Sequence, residues 1–184
     1  MNIPGKSSRP YATEKRDAKA AETRARLVAA ALAILREPGG HMLSLDAVAK
    51  AAGVTRLTVY NQFGSRNGLL EAAFDAVAEQ GNLASLADAM AMPEPRGALA
   101  GVVRTFCDFW MAHDGLGGIF AAAAQDAELG AALAARNARR RALLGVLVDR
   151  QGVATGQAKA DMVDLLFTLT SFATFSSLRN EQRD

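Results

Sequence analysis

The fold of this chain is decided by residues 44–63, which read SLDAVAKAAGVTRLTVYNQF. Apolar residues in the first half of this run recur every three or four positions, as on one face of a short helix, and Ser44 stands where a hydroxyl can cap that helix. Gly53 is suited to end the helix in the left-handed conformation. Thr55 can cap a second helix, which is largely polar. Two short helices joined by a glycine-containing turn are typical of a helix-turn-helix, with the second as the recognition helix.

The composition indicates an all-helical protein. Half of the 184 residues are hydrophobic, which allows a substantial core, and alanine and leucine are abundant while only five residues are proline. The single cysteine, Cys107, excludes an intramolecular disulfide and fits a reducing compartment. No apolar run approaches the ~20 residues of a membrane-spanning helix, and the N-terminus lacks a secretory signal. We therefore expect a soluble, cytoplasmic protein without membrane contact.

Positive charge is concentrated in the first third of the chain. Residues 1–66 hold eleven Lys or Arg and five Asp or Glu, a net charge of +6, whereas residues 67–184 hold ten and fourteen, a net charge of −4. A basic face alone is usually only solvated surface. Because the helix-turn-helix lies within the basic part, this asymmetry indicates a nucleic-acid-binding head on an acidic body.

The pattern divides the chain into three segments. Residues 1–20 contain two prolines, a glycine and five basic side chains. We expect them to form a flexible basic arm that reaches phosphates or the minor groove, or else a tail without a specific role. Residues 21–66 are predicted to form a three-helix DNA-binding head. Its first helix is expected to begin at about Thr13 or Glu22 and to end before Pro38. Residues 67–184 are predicted to form a helical body for effector binding and dimerisation.

A longer run has a more specific pattern. Residues 45–70 read LDAVAKAAGVTRLTVYNQFGSRNGLL, and they follow a helix that reads TRARLVAAA at residues 23–31. With the aromatic pair Tyr60 and Phe63, the Gly-Ser break and the two leucines after it, this run resembles the head of TetR-family transcriptional regulators. Members of that family are all-helical, with a head that binds DNA and a body that dimerises and binds an effector. The resemblance therefore implies a sequence-specific, dimeric transcriptional regulator.

Carried over by position, the resemblance implies base or phosphate contacts from the recognition helix. The residues concerned are Arg56, Leu57, Thr58, Tyr60, Asn61 and Gln62. It also implies phosphate contacts near Ser44 and at Arg66, where most family members have lysine and where free N–H groups at a helix start suit an anion. We also include Arg24 and Thr55 among the DNA-contacting candidates. Arg24 lies near the start of the apolar stripe of the first helix, and Thr55 is the predicted cap of the second helix of the helix-turn-helix. Leu57 occupies a position that is often small, so its contact would be apolar, as with a thymine methyl.

The side chains themselves suggest separate roles at DNA. Arg56 can grip guanine O6 and N7 with two parallel hydrogen bonds, and Asn61 or Gln62 can pair similarly with adenine. The hydroxyls of Thr58 and Tyr60 suit phosphate oxygens, which set register without reading sequence. The alternative for each of these side chains is a polar group that is simply exposed.

The body is predicted to bind both a ligand and a second copy. Apolar and aromatic residues in neighbouring helices are candidates for a ligand pocket, although each also suits a plain core. These candidates are Phe106, Phe109, Trp110, Leu116, Phe120 and Phe167. Such a lining favours a small apolar or aromatic effector. A last helix, at about residues 158–179, is apolar on nearly all sides, so a partner subunit is its expected cover. A two-fold dimer would place two recognition helices about 34–36 Å apart, matching a palindromic operator.

Other classes of protein fit the sequence less well. Cys107 and His113 lie six residues apart, about 240° around a helix, so they would not share a face. No Ser/His/Asp set, metal-ligand spacing or phosphate-binding glycine loop is present, so we expect no enzyme, no metal and no cofactor. A non-specific architectural DNA-binding protein and a helical partner-binding protein stay open as alternatives, and a small helical enzyme is the least favoured. The favoured hypothesis is a repressor that binds double-stranded operator DNA. Its affinity for DNA is expected to fall when an effector binds.

Overall fold

The computed structural model describes residues 9–37, 42–113, 115–152 and 154–181 of the chain. These residues form ten α-helices and no β-strand. In chain order the helices are α1 (Arg9–Arg36), α2 (Leu45–Ala52), α3 (Arg56–Phe63), α4 (Arg66–Gln80), α5 (Ser85–Ala91), α6 (Pro95–Met111), α7 (Leu116–Gln125), α8 (Ala127–Gln151), α9 (Gly156–Leu169) and α10 (Phe172–Glu181). The prediction of an all-helical fold is confirmed. No helix in this described part combines the length and the apolarity that crossing a membrane requires.

Helices α2, α3 and α4 each begin after a capping side chain, as predicted for Ser44 and Thr55. The hydroxyls of Ser44, Thr55 and Ser65 accept hydrogen bonds from backbone N–H groups three residues ahead, at 3.0, 3.2 and 3.0 Å. Gly53 ends α2 with a φ of 66°, in the left-handed region that glycine adopts without a steric penalty. The helix-turn-helix predicted from the sequence is therefore present, with α2 and α3 as its two helices.

Apolar side chains from α1 to α4 form the core of the head. Side chains at most 1 % exposed come from all four helices: Leu27, Leu35, Val48, Val59 and Leu69. Full burial of a side chain of this size stabilises the fold by about 1.5–3 kcal/mol relative to exposure. In α3, Val59 is the one buried residue. The recognition helix is therefore fixed to the head along a single side.

The body continues the core of the head without a break. One cluster of buried apolar residues extends from Leu27 in α1 to Leu147 in α8. Helix α4 serves both parts, because its first turns pack in the head while Phe74 and Val77 are buried in the body. His113, just after α6, is also buried, and its Nε2 lies 2.7 Å from the carbonyl oxygen of Val77. This contact ties the end of α6 to α4.

The N-terminal segment differs from the prediction. The arm expected over residues 1–20 is helical from Arg9 onwards, as the first part of α1. Residues 1–8 lie outside the described residues. The physical reason for the helix is composition, since alanine, lysine, glutamate and arginine after residue 12 all have high helix propensity.

The last predicted helix is divided. In place of one helix over residues 158–179 there are two, α9 and α10, separated at Thr170 and Ser171. The main-chain oxygen of Thr170 accepts hydrogen bonds from the indole of Trp110 at 3.0 Å and from Arg140 at 3.1 Å. The hydroxyl of Ser171 accepts from a backbone N–H in the first turn of α10 at 3.2 Å. The break is thus accompanied by hydrogen bonds from distant helices and by a new helix cap. Neither can be recognised from helical periodicity alone.

Candidate nucleic-acid interface and body cavity

The recognition helix α3 presents one continuous exposed face. Its members are Arg56, Leu57, Tyr60 and Asn61, of which Leu57 is 65 % and Tyr60 54 % exposed. Tyr60 and Asn61 follow Arg56 and Leu57 by four positions, and positions four apart lie on the same side of a helix because 3.6 residues make a turn. Val59 lies on the opposite side and is fully buried. A guanidinium, an amide, a phenol and an apolar side chain therefore stand together, which is a mixture suited to reading the major groove.

Arg56 is held at the start of this face by an exposed ion pair. Its Nη1 lies 3.5 Å from the carboxylate of Asp46 in α2, and both side chains are 67 % exposed. Exposed pairs of this kind contribute about 0–1 kcal/mol. The pair therefore keeps Arg56 near α2 while leaving its guanidinium free to exchange the carboxylate for oxygens of DNA.

The hydroxyl groups beside this face serve first as helix caps. Thr55 Oγ1 accepts from the backbone N–H of Thr58 and lies 2.9 Å from Thr58 Oγ1. Ser44 Oγ accepts from the backbone N–H of Ala47. An accepting hydroxyl can still donate its own hydrogen. Ser44 can therefore donate its O–H to a phosphate. One threonine hydroxyl donates to the other, so the pair can donate one O–H in total.

Arg24 tethers α1 to the end of the recognition helix. Its Nη1 donates to the carbonyl oxygen of Gln62 at 2.9 Å, and its guanidinium lies 4.5 Å from the centre of the Phe63 ring. A cation is favourable both near a helix C-terminus and over an aromatic face. Arg24 is exposed, so its other N–H groups are accessible to a phosphate, whereas Gln62 is half-buried.

Arg66, the predicted phosphate contact, is engaged by groups of the protein itself. Its Nε donates to the carbonyl oxygen of Leu43 at 2.6 Å, while Nη1 and Nη2 donate to the carboxylates of Glu128 and Asp126. The side chain is only 21 % exposed. The two terminal nitrogens join the start of α4 to α8, and Nε joins it to the segment before α2. We therefore propose that Arg66 acts in this joint rather than as the predicted phosphate contact.

These ion pairs shift the pKa values of the groups that form them. Burial alone would lower the pKa of Arg66, but the hydrogen bonds and charges of Glu128 and Asp126 outweigh burial and raise it. Burial alone would raise the pKa of Asp126, but the backbone N–H of Leu129 and the Arg66 guanidinium outweigh burial and lower it. Both shifts favour the charged forms, so the pair is ionised at neutral pH.

A cavity of about 320 Å³ lies in the body, enclosed by residues of α4 to α8. This volume is at the lower end of the roughly 300–1,000 Å³ that is typical of small-molecule sites. Its lining comprises Phe74, Asp75, Val77, Ala78, Leu83, Leu86, Phe106, Phe109, Trp110, Leu116, Ile119, Phe120, Leu133, Arg136, Asn137, Arg139, Arg140 and Leu143.

Most of the pocket residues predicted from the sequence belong to this lining. They are Phe106, Phe109, Trp110, Leu116 and Phe120. Phe167, the sixth, is not part of the lining. Its ring lies instead beneath two guanidinium groups, at 3.9 Å from that of Arg140 and 4.0 Å from that of Arg141. The structure thus corrects the place of Phe167, which supports α8 from α9.

The lining is not apolar throughout, because α8 contributes three basic residues that lie outside the predicted set. They are Arg136, Arg139 and Arg140. Arg136 pairs with Glu71 of α4 at 2.8 Å and lies 3.5 Å from Asp75. The hydrogen bond from Arg136 is the main cause of a lowered pKa at Glu71. The signal available in the sequence is the run of three arginines at residues 139–141, inside a helix otherwise rich in alanine and leucine.

The head and its exposed recognition helix define a class of protein: a helix-turn-helix DNA-binding transcriptional regulator with an all-helical body. Residues 27–73, which extend from α1 into α4, match the family model of bacterial regulatory proteins of the tetR family. The match covers the head of the chain, and the resemblance of the head to TetR-family regulators is confirmed. The matched segment contains the whole of α3 and Ser44 but not Arg24. No curated protein matches the chain.

Proposed function

We propose that this regulator is a cytoplasmic repressor that binds a palindromic operator as a homodimer and leaves DNA when a small molecule occupies the body cavity. One observation carries the DNA-binding part: the exposed face of α3 lies opposite the fully buried Val59. Because α3 is fixed along a single side, its polar face can enter the major groove without disturbing the core of the head.

Base reading is assigned to the centre of this face. Arg56 suits a guanine and Asn61 suits an adenine, since each can make two parallel hydrogen bonds to a base edge. Leu57 lies beside them and suits a thymine methyl group. Gln62 ranks behind Asn61 as a reader because its side chain is half-buried.

Phosphate contacts are assigned to groups around this face. They are the hydroxyls of Ser44, Thr55, Thr58 and Tyr60 and the free N–H groups of Arg24. Contacts of this kind fix the register of a protein on DNA without reading sequence. Their loss is expected to weaken binding to all DNA sequences equally.

A second copy of the chain is the expected cover for α9. This helix has eight apolar residues among fourteen, yet none of the fourteen is buried. Leu165 and Leu169, one turn apart, are each 57 % exposed, and Val146 on the neighbouring α8 is 48 % exposed. Packing of this face against itself across a two-fold axis would bury these side chains and pair two heads.

The cavity lies where a ligand could act on the head. Helix α4 lines it with Phe74 and Val77 and begins directly after the recognition helix. A ligand that binds more tightly to one position of α4 would shift the population of head orientations toward that position. The change that the ligand causes in the free energy of DNA binding cannot exceed the difference between its own binding free energies for the two positions of α4.

Footprinting on the DNA that flanks the protein's own gene tests this function directly. We expect protection of two half-sites related by a palindrome, with an affinity about 10³-fold or more above that for random DNA at physiological salt. A ratio near one would favour an architectural DNA-binding protein instead. Absence of binding even at low salt would favour a partner-binding protein.

A further inference from the structure

The wall of the body cavity contains a guanidinium that has no carboxylate partner among the described residues. Arg140 belongs to the lining, and its Nη1 and Nη2 donate to the main-chain oxygens of Thr170 and Phe167 at 3.1 and 3.3 Å. Its Nε is buried without a hydrogen-bond partner. The two carbonyl contacts cap the C-terminus of α9 and use one N–H of each terminal nitrogen. The second N–H of each terminal nitrogen is left for another acceptor.

Two neighbouring arginines, Arg136 and Arg141, are neutralised by ion pairs. Arg141, next in the chain, pairs with Asp164, and Arg136, about one turn earlier, pairs with acidic residues of α4. The charge of Arg141, which is also positive, lowers the pKa of Arg140. Asp75 is the single acidic residue of the lining, against three arginines. The cavity wall therefore carries an excess of positive charge.

This charge is present at neutral pH. Burial, and then the positive charge of Arg141, lower the pKa of Arg140 to about 10. A group with that pKa remains protonated at pH 7. A partly buried cation without an anion is unfavourable. Here it is offset by the two carbonyls and by the rings of Phe106 and Phe167, whose centres lie 5.6 and 3.9 Å from the guanidinium. An anion delivered by a ligand would complete the compensation.

The rest of the lining supplies an apolar compartment. The ring of Trp110 lies 4.6 Å from that of Phe109 and 6.5 Å from that of Phe120, measured between ring centres. The indole N–H of Trp110 already donates to Thr170, so this aromatic cluster offers a ligand surface but no hydrogen bond from its indole. Polar recognition therefore falls to the arginine side of the cavity.

We propose that the cavity binds a small organic acid, whose apolar body lies on the aromatic cluster and whose carboxylate accepts hydrogen bonds from Arg140. This inference rests on the proposed function, because it concerns the ligand of the same cavity. It adds a carboxylate to the small apolar or aromatic effector expected from the aromatic residues alone. Arg139, which is exposed and also lines the cavity, adds positive potential that attracts an acid. The planar guanidinium matches a carboxylate better than it matches an amide or an alcohol.

The test compares acids with their neutral amides on the intact protein. Trp110 is the sole tryptophan of the chain and lines the cavity, so its fluorescence reports occupancy. The probes are phenylacetate, diphenylacetate and octanoate, each beside the corresponding amide, with sulfate as an anion that lacks an apolar body. We expect at least one acid to bind about tenfold or more tightly than its amide, and sulfate to give no saturable response.

Two variants assign this preference to one side chain. Arg140→Gln should remove the preference of the protein for acid over amide. Arg141→Gln is the matched control, because Arg141 stacks on the same phenylalanine ring but does not line the cavity, and it should keep the preference. Circular dichroism checks that both variants fold, and the acid–amide comparison in the unmodified protein does not depend on either variant.

Two outcomes would overturn the inference: no acid binds more tightly than its amide, or Arg141→Gln loses the preference as fully as Arg140→Gln. Release of operator DNA is measured separately. An acid that binds with the expected preference but leaves DNA affinity unchanged would support the carboxylate site and refute the proposed release mechanism. The two proposals therefore fail independently.

Discussion

Arg66 and Asp126 join the head of the protein to its body. Arg66 is the first residue of α4 and Asp126 is the N-cap of α8, so their ion pair connects two helix starts. A carboxylate at a helix N-terminus is stabilised by the helix dipole, whereas a guanidinium there is destabilised. Asp126 and Glu128 compensate Arg66, and Asp126 also accepts the N–H groups of Glu128 and Leu129, both at 3.1 Å. The pair fixes the start of α4, and with it the recognition helix, relative to the body.

Replacing Arg66 by alanine should destabilise the protein without removing a DNA contact. We expect Arg66→Ala to lower the free energy of unfolding by about 1–3 kcal/mol, because a buried carboxylate loses its partner. The slope of log affinity for DNA against log salt concentration should stay unchanged, since no phosphate loses a counter-charge. Urea unfolding and DNA titrations at several salt concentrations measure these two effects.

The matched control for this substitution is Arg104→Ala. Arg104 is exposed on α6, and its removal should change the free energy of unfolding by no more than about 0.5 kcal/mol. A salt slope that falls by about one unit in Arg66→Ala would contradict the prediction. It would mean that Arg66 leaves Asp126 and binds a phosphate when DNA is present.

Low pH should weaken the ion pair between Arg66 and Asp126. The pKa of Asp126 in the folded protein is lowered from the ordinary value of 3.8. A carboxyl with a lowered folded pKa contributes stability that is fully present above the unfolded pKa and is lost as pH falls through the folded one. Thermal unfolding from about pH 4 downwards should therefore show a shallower loss of stability in Asp126→Asn than in the unmodified protein. Parallel curves would show that Asp126 does not contribute to the acid sensitivity.

The head could be predicted almost completely because its signals are local. Ser44, Gly53 and Thr55 act on backbone groups within five residues of themselves, so the caps and the turn are visible in a short stretch of sequence. The acidic partners of Arg66 lie 60 and 62 residues further along the chain, and no periodicity reveals a contact over that separation. The same holds for Thr170, where hydrogen bonds from α6 and α8 accompany the break before α10.

The cavity could be predicted only on its apolar side. Phe106, Phe109 and Trp110 recur at helical spacing on α6, so their clustering is visible as a pattern. Whether an arginine lies at the surface or in a wall depends on what packs over it. Arg140 is covered by the end of α9, whereas Arg139 next to it is exposed. The charge of the cavity could therefore be recognised only once α8 and α9 were placed together.

Gly68 should tolerate no side chain, because α3 and α4 approach each other too closely. A Cβ at this position would lie 2.1 Å from the carbonyl oxygen of Phe63, the last residue of α3. We expect Gly68→Ala to lower the free energy of unfolding by about 1–3 kcal/mol or more, as overpacking against backbone does. Gly117→Ala is the control, since nothing lies within 4 Å of a Cβ there, and it should be neutral or stabilising by up to about 1 kcal/mol. Urea unfolding compares them, and equal stabilities would refute the clash.

Arg56→Ala should relax the choice of base at one position of the operator. We expect a loss of about 1–3 kcal/mol in binding free energy on the operator and a much smaller loss on random DNA, because a bidentate contact to guanine discriminates between bases. Competition binding with single-base operator variants measures the change. Lys50→Ala, on the exposed side of α2, is the control and should leave base preference intact. If Arg56→Ala weakened operator and random DNA alike, Arg56 would contact phosphate only.

A charge on α9 should separate the dimer and, with it, tight operator binding. Leu165 is 57 % exposed in the single chain, and Leu165→Glu would place two carboxylates in the apolar interface of the proposed dimer. We expect sedimentation to show a monomer where the unmodified protein is a dimer, and operator affinity to fall by about 100-fold or more because each half-site is then bound separately. Met111→Glu, at an equally exposed position on α6, should remain dimeric. A Leu165→Glu variant that stays dimeric would place the interface on another face of the body.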